Sequence, residues 1–257
     1  MNVTLITGAS AGIGAEFARA MARAKKNLVL VARRTEKLDA LAAELKSQHG
    51  INALIETCDL AQPGAVAKLM TNLSVQGLDV ECLINNAGFG LNGEFATLDG
   101  HRQTEMINLN CIALTELCHA VLPGMIARKS GQILNVASTA AFQAGPLMAV
   151  YYASKAYVLS FSEALHEEVK HHGIHVTALC PGPTETEFFG AAKMTESGLG
   201  KMTSKAGPVV QDGLSGLQAN RAIVVSGLLN KITAQSTRFV PRMVARKLAQ
   251  SLQRLRT

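Results

Sequence analysis

Short apolar runs alternate with longer stretches of helical periodicity along most of the chain. Runs of β-branched and aliphatic residues predict seven strands, at 3–7, 27–32, 52–57, 81–85, 131–138, 175–180 and 222–226. Apolar residues at helical spacing predict helices at 12–25, 35–49, 62–75, 100–128 and 147–172. The strands lack polar alternation, which indicates a sheet covered on both faces. The pattern therefore predicts an α/β fold, a doubly wound parallel sheet of about seven strands with helices on both faces.

The length of the chain suits one domain. With 257 residues and 48% hydrophobic content, it can bury one large α/β core but not two. We therefore expect residues 1–257 to form a single domain. The segment 184–216, rich in Gly, Ser, Thr and Lys, interrupts the alternation before the last strand. A long irregular insertion at the carboxyl edge of such a sheet predicts a substrate lid.

Cysteine usage and the N-terminal sequence favour a cytoplasmic protein. The five cysteines lie far apart without a C-x-x-C pair, which suits reduced thiols better than disulfides. The N-terminus enters an apolar strand without the features of a signal peptide. No apolar run approaches the roughly 18 residues that cross a bilayer. We expect a cytoplasmic location.

Basic charge is concentrated at the end of the chain. Residues 1–212 carry 17 basic and 19 acidic residues, a net charge of −2, whereas the rest carry eight basic residues and no acidic one. A slightly acidic body argues against nucleic acid as a partner. The tail 238–257 predicts a basic helix with an apolar side that includes Val240, Val244 and Leu248. A membrane-surface helix is one interpretation, and we favour the other, a helix that packs on its own subunit.

A glycine-rich turn follows the first strand. Gly8, Gly12 and Gly14 recur within TGASAGIG, at positions 7–14. Glycine permits positive φ and a close backbone approach to phosphate, and the start of the following helix favours negative charge. An ordinary tight turn is the alternative, but the first β-α unit is where such sheets hold nucleotides. The turn predicts a dinucleotide cradle formed by Gly8, Ser10, Ala11, Gly12, Ile13 and Gly14.

The end of the second strand predicts the cofactor. An acidic residue there would bind the ribose hydroxyls of NAD, but Arg33 and Arg34 follow instead. Guanidinium groups grip a 2′-phosphate through charge-assisted hydrogen bonds. We expect NADP(H) to be the preferred cofactor, with NAD(H) as the alternative.

Three residues predict acid-base chemistry. In a helix, Tyr151 and Lys155 are separated by about 6 Å of rise and about 40° of rotation, so they face the same way, whereas Tyr152 points elsewhere. A phenol has a pKa of about 10, and the ammonium of Lys155 is expected to lower it. Ser138 follows the fifth strand at the edge where ligands bind. These three residues predict a catalytic group that acts on a carbonyl oxygen.

From about residue 3 to residue 190, the chain resembles the short-chain dehydrogenase/reductase family. The resemblance is carried by TGASAGIG, Asp59, the motif 85–88 (NNAG), Asn110, Ser138, Tyr151, Lys155, and Pro181-Gly182 followed by Thr186. It implies that Tyr151 donates a proton to a ketone oxygen that Ser138 also binds. Lys155 would hold the nicotinamide ribose, and Asn110 would position a water that relays protons to Lys155.

The resemblance also implies further cofactor contacts. Asp59 and Leu60 would meet the adenine, Asn86, Ala87 and Gly88 would line the adenosine side, and Pro181, Gly182, Thr184 and Thr186 would contact the nicotinamide end. It implies a homodimer or homotetramer and no metal. The glycine-rich final loop of acyl-carrier ketoreductases is absent, which disfavours a role in fatty-acid synthesis.

The flanks of the carbonyl site predict the substrate class. Apolar residues surround it in sequence, namely Phe89, Phe142, Met148, Phe188 and Phe189. They favour reduction of an apolar ketone or aldehyde, or oxidation of a secondary alcohol. A non-catalytic NADP(H) sensor and a sugar-nucleotide epimerase are the alternatives. The sensor has no need of Ser138, Tyr151 and Lys155 together, and the epimerase normally needs a longer chain.

Overall fold

A seven-stranded parallel sheet forms the centre of the computed structural model, which describes residues 1–188, 203–237 and 239–253. The strands are β1 (Asn2–Thr7), β2 (Leu28–Ala32), β3 (Ala53–Thr57), β4 (Asp79–Asn85), β5 (Gly131–Val136), β6 (Ile174–Cys180) and β7 (Ile223–Val225). Their order is β3-β2-β1-β4-β5-β6-β7. The chain reverses direction across the sheet between β1 and β4, and this switch point opens a crevice at the carboxyl edge. The predicted fold class is confirmed.

Helices cover both faces of the sheet. They are α1 (Gly12–Arg23), α2 (Thr35–His49), α3 (Ala65–Val75), α4 (Gly100–Ile107), α5 (Leu114–Ala127), α6 (Ala149–Val169), α7 (Ala206–Gln218), α8 (Leu228–Ser236) and α9 (Arg242–Gln253). In β1, Leu5 joins the core beneath α3, α5 and α6, while its neighbour Ile6 joins the core beneath α1, α2 and α7. This alternation explains why the strands read as continuous apolar runs.

A six-residue π-helix, Asn108–Ala113, joins α4 to α5 within one long helix. The sequence predicts the helix at 100–128 but not this widened turn. Single π turns are rare and occur often at functional sites. Here the turn contains Asn110, which it directs toward the loop after β4.

The long helix is apolar enough to qualify as a membrane span. By length and composition alone, Gly100–Ala127 among the described residues could cross a bilayer, contrary to the expectation from sequence. Its Leu114, Leu117, Val121 and Met125 are buried in the core against the sheet. Packing on the sheet accounts for these apolar residues.

Helix α7 corrects the predicted lid at 184–216. Val209, Val210 and Leu217 of α7 are buried against the sheet and α1, so 206–216 belongs to the fold and not to a lid. The glycines that suggested a loop permit close packing. A Cβ at Gly216 would lie 2.1 Å from Val224 Cγ2, and one at Gly213 would lie 2.8 Å from Leu179 Cδ2. Of the predicted lid, 184–186 and 203–205 are irregular apart from one β-bridge between Thr184 and Ser204, residues 187–188 are helical, and 189–202 lies outside the described residues.

The tail forms a helix, as predicted, but its apolar side is not buried. In α9, Ala249 and Gln253 are buried, whereas Met243, Val244 and Leu248 are exposed. The helix packs on its own subunit through one narrow side only, which departs from the interpretation that the sequence favoured. Residues 238 and 254–257 of the predicted tail lie outside the described residues. Helix α8 was not predicted.

Candidate active site

A cleft of about 860 Å³ lies along the carboxyl edge of the sheet. It extends from the turn after β1 to the N-terminal part of α6 and on to α8 and α9. Most of the residues that the sequence singles out line this one cleft. Gly14, Asn110 and Phe142 are not among its lining residues.

The glycine turn forms one end of the cleft. Gly8 and Gly12 have φ angles of 66° and 56°, which favour glycine. Ser10, Ala11, Gly12 and Ile13 line the cleft, and Ala11 caps α1 without a side-chain hydrogen bond. The first N–H groups of α1 are thus available for an anion. The turn fits a pyrophosphate.

Gly14 supports the turn from behind. A Cβ at Gly14 would lie 2.3 Å from the carbonyl oxygen of Gly8 and 2.5 Å from the amide of Asn86, so only glycine allows α1 to approach so closely. Asn86 Nδ2 donates to the carbonyl oxygens of Thr7 and Gly8, at 2.9 and 3.2 Å. The Thr7 hydroxyl accepts the backbone N–H groups of Asn86 and Ala87, both at 3.0 Å. The motif after β4 therefore holds the glycine turn in place.

The two arginines after β2 have different surroundings. Both line the cleft and both are exposed. Arg34 donates to Ser10 Oγ, at 3.0 Å from Nη2, and pairs with Glu187 at 2.7 Å. Lys37 also pairs with Glu187, at 2.6 Å. The hydrogen bonds from Lys37 and then Arg34 lower the pKa of the Glu187 carboxyl. The Glu187 carboxylate therefore holds Arg34 and Lys37 close together beside the glycine turn.

The predicted adenine side lies next to these cations. Asp59 and Leu60 line the cleft, and Asp59 Oδ1 accepts the backbone N–H of Ala61 at 3.2 Å. Ala87 and Gly88 also line the cleft. With the uncapped start of α1, the glycine turn and the arginines, these residues fit an adenine dinucleotide that carries a 2′-phosphate.

Ser138, Tyr151 and Lys155 meet at the middle of the cleft. Ser138 lies two residues beyond β5, and its Oγ accepts the backbone N–H of Ala140 at 3.1 Å, which leaves the hydroxyl proton for another acceptor. The Ser138 side chain is hydrogen-bonded to Tyr151. Lys155 Nζ donates to the carbonyl oxygen of Val136 at 2.8 Å and lies 5.9 Å from the centroid of the Tyr151 ring. Tyr151 and Lys155 thus lie on the same side of α6, as the helical spacing predicts, and both line the cleft.

The pKa of Tyr151 differs from the expectation. Burial raises the pKa of Tyr151 to about 12, and the hydrogen bond with Ser138 acts in the opposite direction. The expected lowering by Lys155 is not found, because desolvation of the buried phenol has the largest effect on its pKa. Burial also lowers the pKa of Lys155 to about 8. Tyr151 therefore keeps its proton at neutral pH, the state that a proton donor needs.

Asn110 lies behind the cleft wall. Its Nδ2 donates to the carbonyl oxygen of Phe89 at 3.1 Å and to Ser154 Oγ at 3.0 Å, and its Oδ1 accepts the backbone N–H of Phe89 at 3.2 Å. Only 1% of Asn110 is exposed. These bonds tie the loop after β4 to α6, and a relay through water to Lys155 stays a prediction.

The segment after β6 closes the side of the cleft. Pro181, Gly182, Thr184 and Thr186 line it, as predicted for the nicotinamide end. A Cβ at Gly182 would lie 2.3 Å from Asn230 Nδ2 of α8, and one at Gly12 would lie 2.9 Å from Thr186 Cγ2. The segment therefore lies against both the glycine turn and α8.

The far end of the cleft is apolar. Phe89, Met148 and Phe188 line it, and the ring of Phe188 lies 5.2 Å from that of Tyr151. Phe142, predicted there, packs instead against the core of the sheet, because its short 3-10 helix directs it inward. Phe189 lies outside the described residues.

Sequence reasoning missed part of this wall. Leu228 and Leu229 of α8 and Val240, Leu248 and Leu252 of the tail also line the cleft. The i, i+4 spacing of Val240, Val244, Leu248 and Leu252 was a signal in the sequence, but nothing local indicated which surface it would face.

Tyr152 is another residue whose place was missed. It is largely buried at the wall of the cleft, and its hydroxyl accepts a hydrogen bond from the amide of Gln253. Asn92 Nδ2 donates to the carbonyl oxygen of Gln253 at 3.3 Å. Tyr152 therefore anchors α9 and is not a bystander in the fold.

Metal ligands do not gather in this part of the protein. Within 1–188, 203–237 and 239–253, no group of three or more His, Cys, Asp and Glu side chains is placed to hold a metal ion. The reacting end of the cleft offers hydroxyls, an amine and apolar walls, and its other end adds backbone N–H groups, two guanidinium groups and two carboxylates.

Fold and cleft together define a class of protein, an oxidoreductase with a doubly wound dinucleotide fold and a serine, tyrosine and lysine at its reacting end. The model of the short chain dehydrogenase family matches residues 2–197. The chain belongs to this family, which confirms the resemblance found in the sequence.

Curated relatives include very-long-chain 3-oxoacyl-CoA reductases. The one from Phaeosphaeria nodorum is 43% identical over 176 residues, which cover 67% of this chain and 52% of the relative. The chain thus matches about half the length of that relative.

Solved structures of related enzymes share the whole fold. A short-chain dehydrogenase from Sphingobium yanoikuyae in complex with NADPH is 32% identical, with a TM-score of 0.82 over 94% of this chain and 97% of that one. The bulky-bulky ketone specific alcohol dehydrogenase from Comamonas testosteroni is 28% identical, with a TM-score of 0.77 over 94% and 96% of the two chains. These similarities agree with the predicted enzyme class and with the predicted cofactor.

Proposed function

We propose that the protein uses NADPH to reduce the ketone of an apolar substrate, and that 3-oxoacyl thioesters are its substrate class. One observation carries the proposal: Ser138, Tyr151 and Lys155 face a cleft that joins a phosphate-binding turn to an apolar wall. The names of the curated relatives support the thioester, and the NADPH-bound relative supports the cofactor.

The protein's own residues supply a proton and hold the ketone. Bound nicotinamide would supply the hydride. Tyr151 Oη, protonated at neutral pH, donates to the ketone oxygen, which the Ser138 hydroxyl also binds. Lys155, fixed by the Val136 carbonyl, places positive charge near the phenol and so assists the loss of its proton.

The apolar wall supports a long acyl chain. Phe89, Met148 and Phe188 surround the ketone position, and Leu229 and Leu248 continue the apolar lining. The sequence argued against a role in fatty-acid synthesis because a glycine-rich final loop is absent. The curated relatives are named very-long-chain 3-oxoacyl-CoA reductases, and these names support replacing that expectation.

A substrate panel tests the proposal. NADPH consumption is followed by absorbance with short-, medium- and long-chain 3-oxoacyl thioesters, an aromatic ketone and a ketose sugar, with Tyr151→Phe as the inactive control. We expect the highest kcat/KM for the longer thioesters. Turnover of the sugar but of no apolar ketone would reject the substrate class. NADPH binding without turnover of any substrate would instead support the sensor alternative.

Cofactor preference has a separate test. Arg33→Asp places a carboxylate where the 2′-phosphate is proposed to bind, so NADPH affinity should fall about tenfold or more while NADH affinity is kept or improved. Dissociation constants for both dinucleotides are measured by fluorescence titration. Unchanged NADPH affinity would remove Arg33 from the phosphate site.

A further inference from the structure

Exposed apolar side chains concentrate at the mouth of the cleft. Of the sixteen large apolar residues that are exposed in the described part of the chain, nine lie between positions 228 and 252. We define the α8–α9 surface by six of them, which are 57% to 86% exposed: Leu228, Leu229, Ile232, Phe239, Met243 and Leu248. Large contiguous apolar patches on soluble proteins mark interaction sites.

The surface is continuous with the active-site cleft. Leu228, Leu229 and Leu248 line the cleft and are each more than half exposed, so they lie where it opens to solvent. Helix α9 is held at its far end by the bonds of Gln253 to Tyr152 and Asn92. That attachment leaves the apolar stripe along α9 uncovered.

The charged residues of α8 and α9 are all basic. Lys231 belongs to α8, and Arg242, Arg246 and Lys247 belong to α9, while the chain has no acidic residue after Asp212. Within the described ranges, none of these four cations forms an ion pair. A helix with an apolar stripe and basic residues beside it is typical of binding at an anionic membrane surface.

A second copy of the chain fits this surface poorly. A twofold interface brings the same patch of both subunits together. Four unpaired cations would then face four others, and neither helix carries an acidic residue that could pair with them, which is destabilising. An anionic lipid surface supplies both the negative charge and the apolar phase.

We propose that the α8–α9 surface docks on an anionic phospholipid bilayer, so that the mouth of the cleft opens at the lipid surface. An apolar substrate then moves between bilayer and active site without crossing water. This docking does not depend on the proposed reaction, because the binding is measured without substrate or cofactor.

Tryptophan fluorescence provides a direct test, because the chain contains no tryptophan. Phe239→Trp introduces a reporter on the surface, and Val75→Trp introduces a matched reporter at an exposed apolar site on α3. With vesicles of phosphatidylcholine and phosphatidylglycerol, we expect a blue shift and quenching by brominated lipid for Phe239→Trp only. Vesicles of phosphatidylcholine alone should give a much smaller change, and salt should weaken binding.

Sedimentation with vesicles tests whether the apolar and the basic residues of the α8–α9 surface contribute to lipid binding. In the Phe239→Trp background, the Leu228→Ser/Leu229→Ser variant and the Arg242→Glu/Arg246→Glu/Lys247→Glu variant should each lower the partition coefficient about tenfold or more, whereas Phe95→Ser should not. Circular dichroism confirms folding of each variant.

Three results would overturn the proposal. The first is absence of vesicle binding by the parent protein. The second is a change of oligomeric state in the surface variants with unchanged lipid binding, which would assign the surface to a second copy. The third is a higher KM for acyl-CoA in the charge variant with unchanged lipid binding, which would assign the cations to substrate phosphates.

Discussion

Two adjacent tyrosines in α6 have different environments and different expected roles. Tyr151 faces the cleft beside Ser138, whereas the Tyr152 hydroxyl accepts a hydrogen bond from Gln253. Tyr151→Phe should lower kcat by roughly a hundredfold to ten-thousandfold, the range of a positioned general acid. Tyr152→Phe should keep most turnover and lose about 1 kcal/mol of stability with its hydrogen bond. Steady-state kinetics and thermal melts of both variants check this, and the reverse ranking would mean that the acid is misassigned.

The pKa values of Tyr151 and Lys155 predict the pH dependence of ketone reduction. Burial lowers the pKa of Lys155 to about 8, so its positive charge is present below that pH and is lost above it. Tyr151, with a pKa of about 12, stays protonated throughout. We expect kcat for reduction to be level from about pH 6 to about pH 7.5 and to fall above about pH 8. A level profile to about pH 9.5 would contradict the role of the Lys155 charge.

Glu187 competes for the cations beside the predicted phosphate site. Its carboxylate pairs with Arg34 and Lys37, at 2.7 and 2.6 Å. Glu187→Gln removes that competitor, so NADPH should bind about two- to fivefold more tightly, a modest gain because exposed ion pairs are weak. Glu185→Gln, on the same segment, is the matched control. Titrations with NADPH and NADH check the change, and an equal gain for both dinucleotides would argue against a contact with the 2′-phosphate.

Sequence reasoning identified most of the site, and its omissions have a physical cause. Gly8, Ser138, Tyr151 and Lys155 were predictable because their chemistry depends on local geometry, namely a turn, a strand end and one helix face. The raised pKa of Tyr151 was not predictable from the sequence, because it results from burial of the phenol, and residues distant in sequence such as Phe188 pack against its ring. The sequence indicates Gly14 and Asn110 as site residues, but the packing role of Gly14 and the hydrogen bonds of Asn110 depend on contacts with distant segments.

At the scale of elements, the sequence predicts all seven strands and five helices that cover α1 to α6, with α4 and α5 predicted as one helix. It fails at α7, where glycines that indicate flexibility in isolation serve close packing on β6 and β7. It also fails at the π-helix around Asn110, because widening one turn leaves the apolar periodicity on either side almost unchanged. Helix α8 has only one buried position and therefore little periodic signal.

Two glycines of α7 give a matched prediction about packing. A Cβ at Gly216 would lie 2.1 Å from Val224 Cγ2, whereas one at Gly207 would meet nothing within 4 Å. Gly216→Ala should therefore lower the free energy of unfolding by about 1–3 kcal/mol. Gly207→Ala should raise it by about 0.4–1 kcal/mol, because alanine restricts the unfolded chain. Urea denaturation of both variants measures the difference, and equal effects would contradict the close packing of α7 on β7.

At the scale of the whole molecule, charge is divided between a slightly acidic body and a basic end. Residues 1–212 carry 17 basic and 19 acidic residues, and all later charges are positive. The basic end contains α8 and α9, so the division of charge coincides with the opening of the cleft. The cytoplasmic location and the homodimer or homotetramer stay predictions.

The bond between Gln253 and Tyr152 joins the end of α9 to the residue beside the proton donor. Proteolytic trimming that removes Gln253 would thus release the end of α9 from the body of the protein. A preparation that loses this turn during storage should melt at a lower temperature while it keeps most of its turnover, as expected for Tyr152→Phe. Mass spectrometry of aged samples is therefore a sensible companion to any stability measurement on this enzyme.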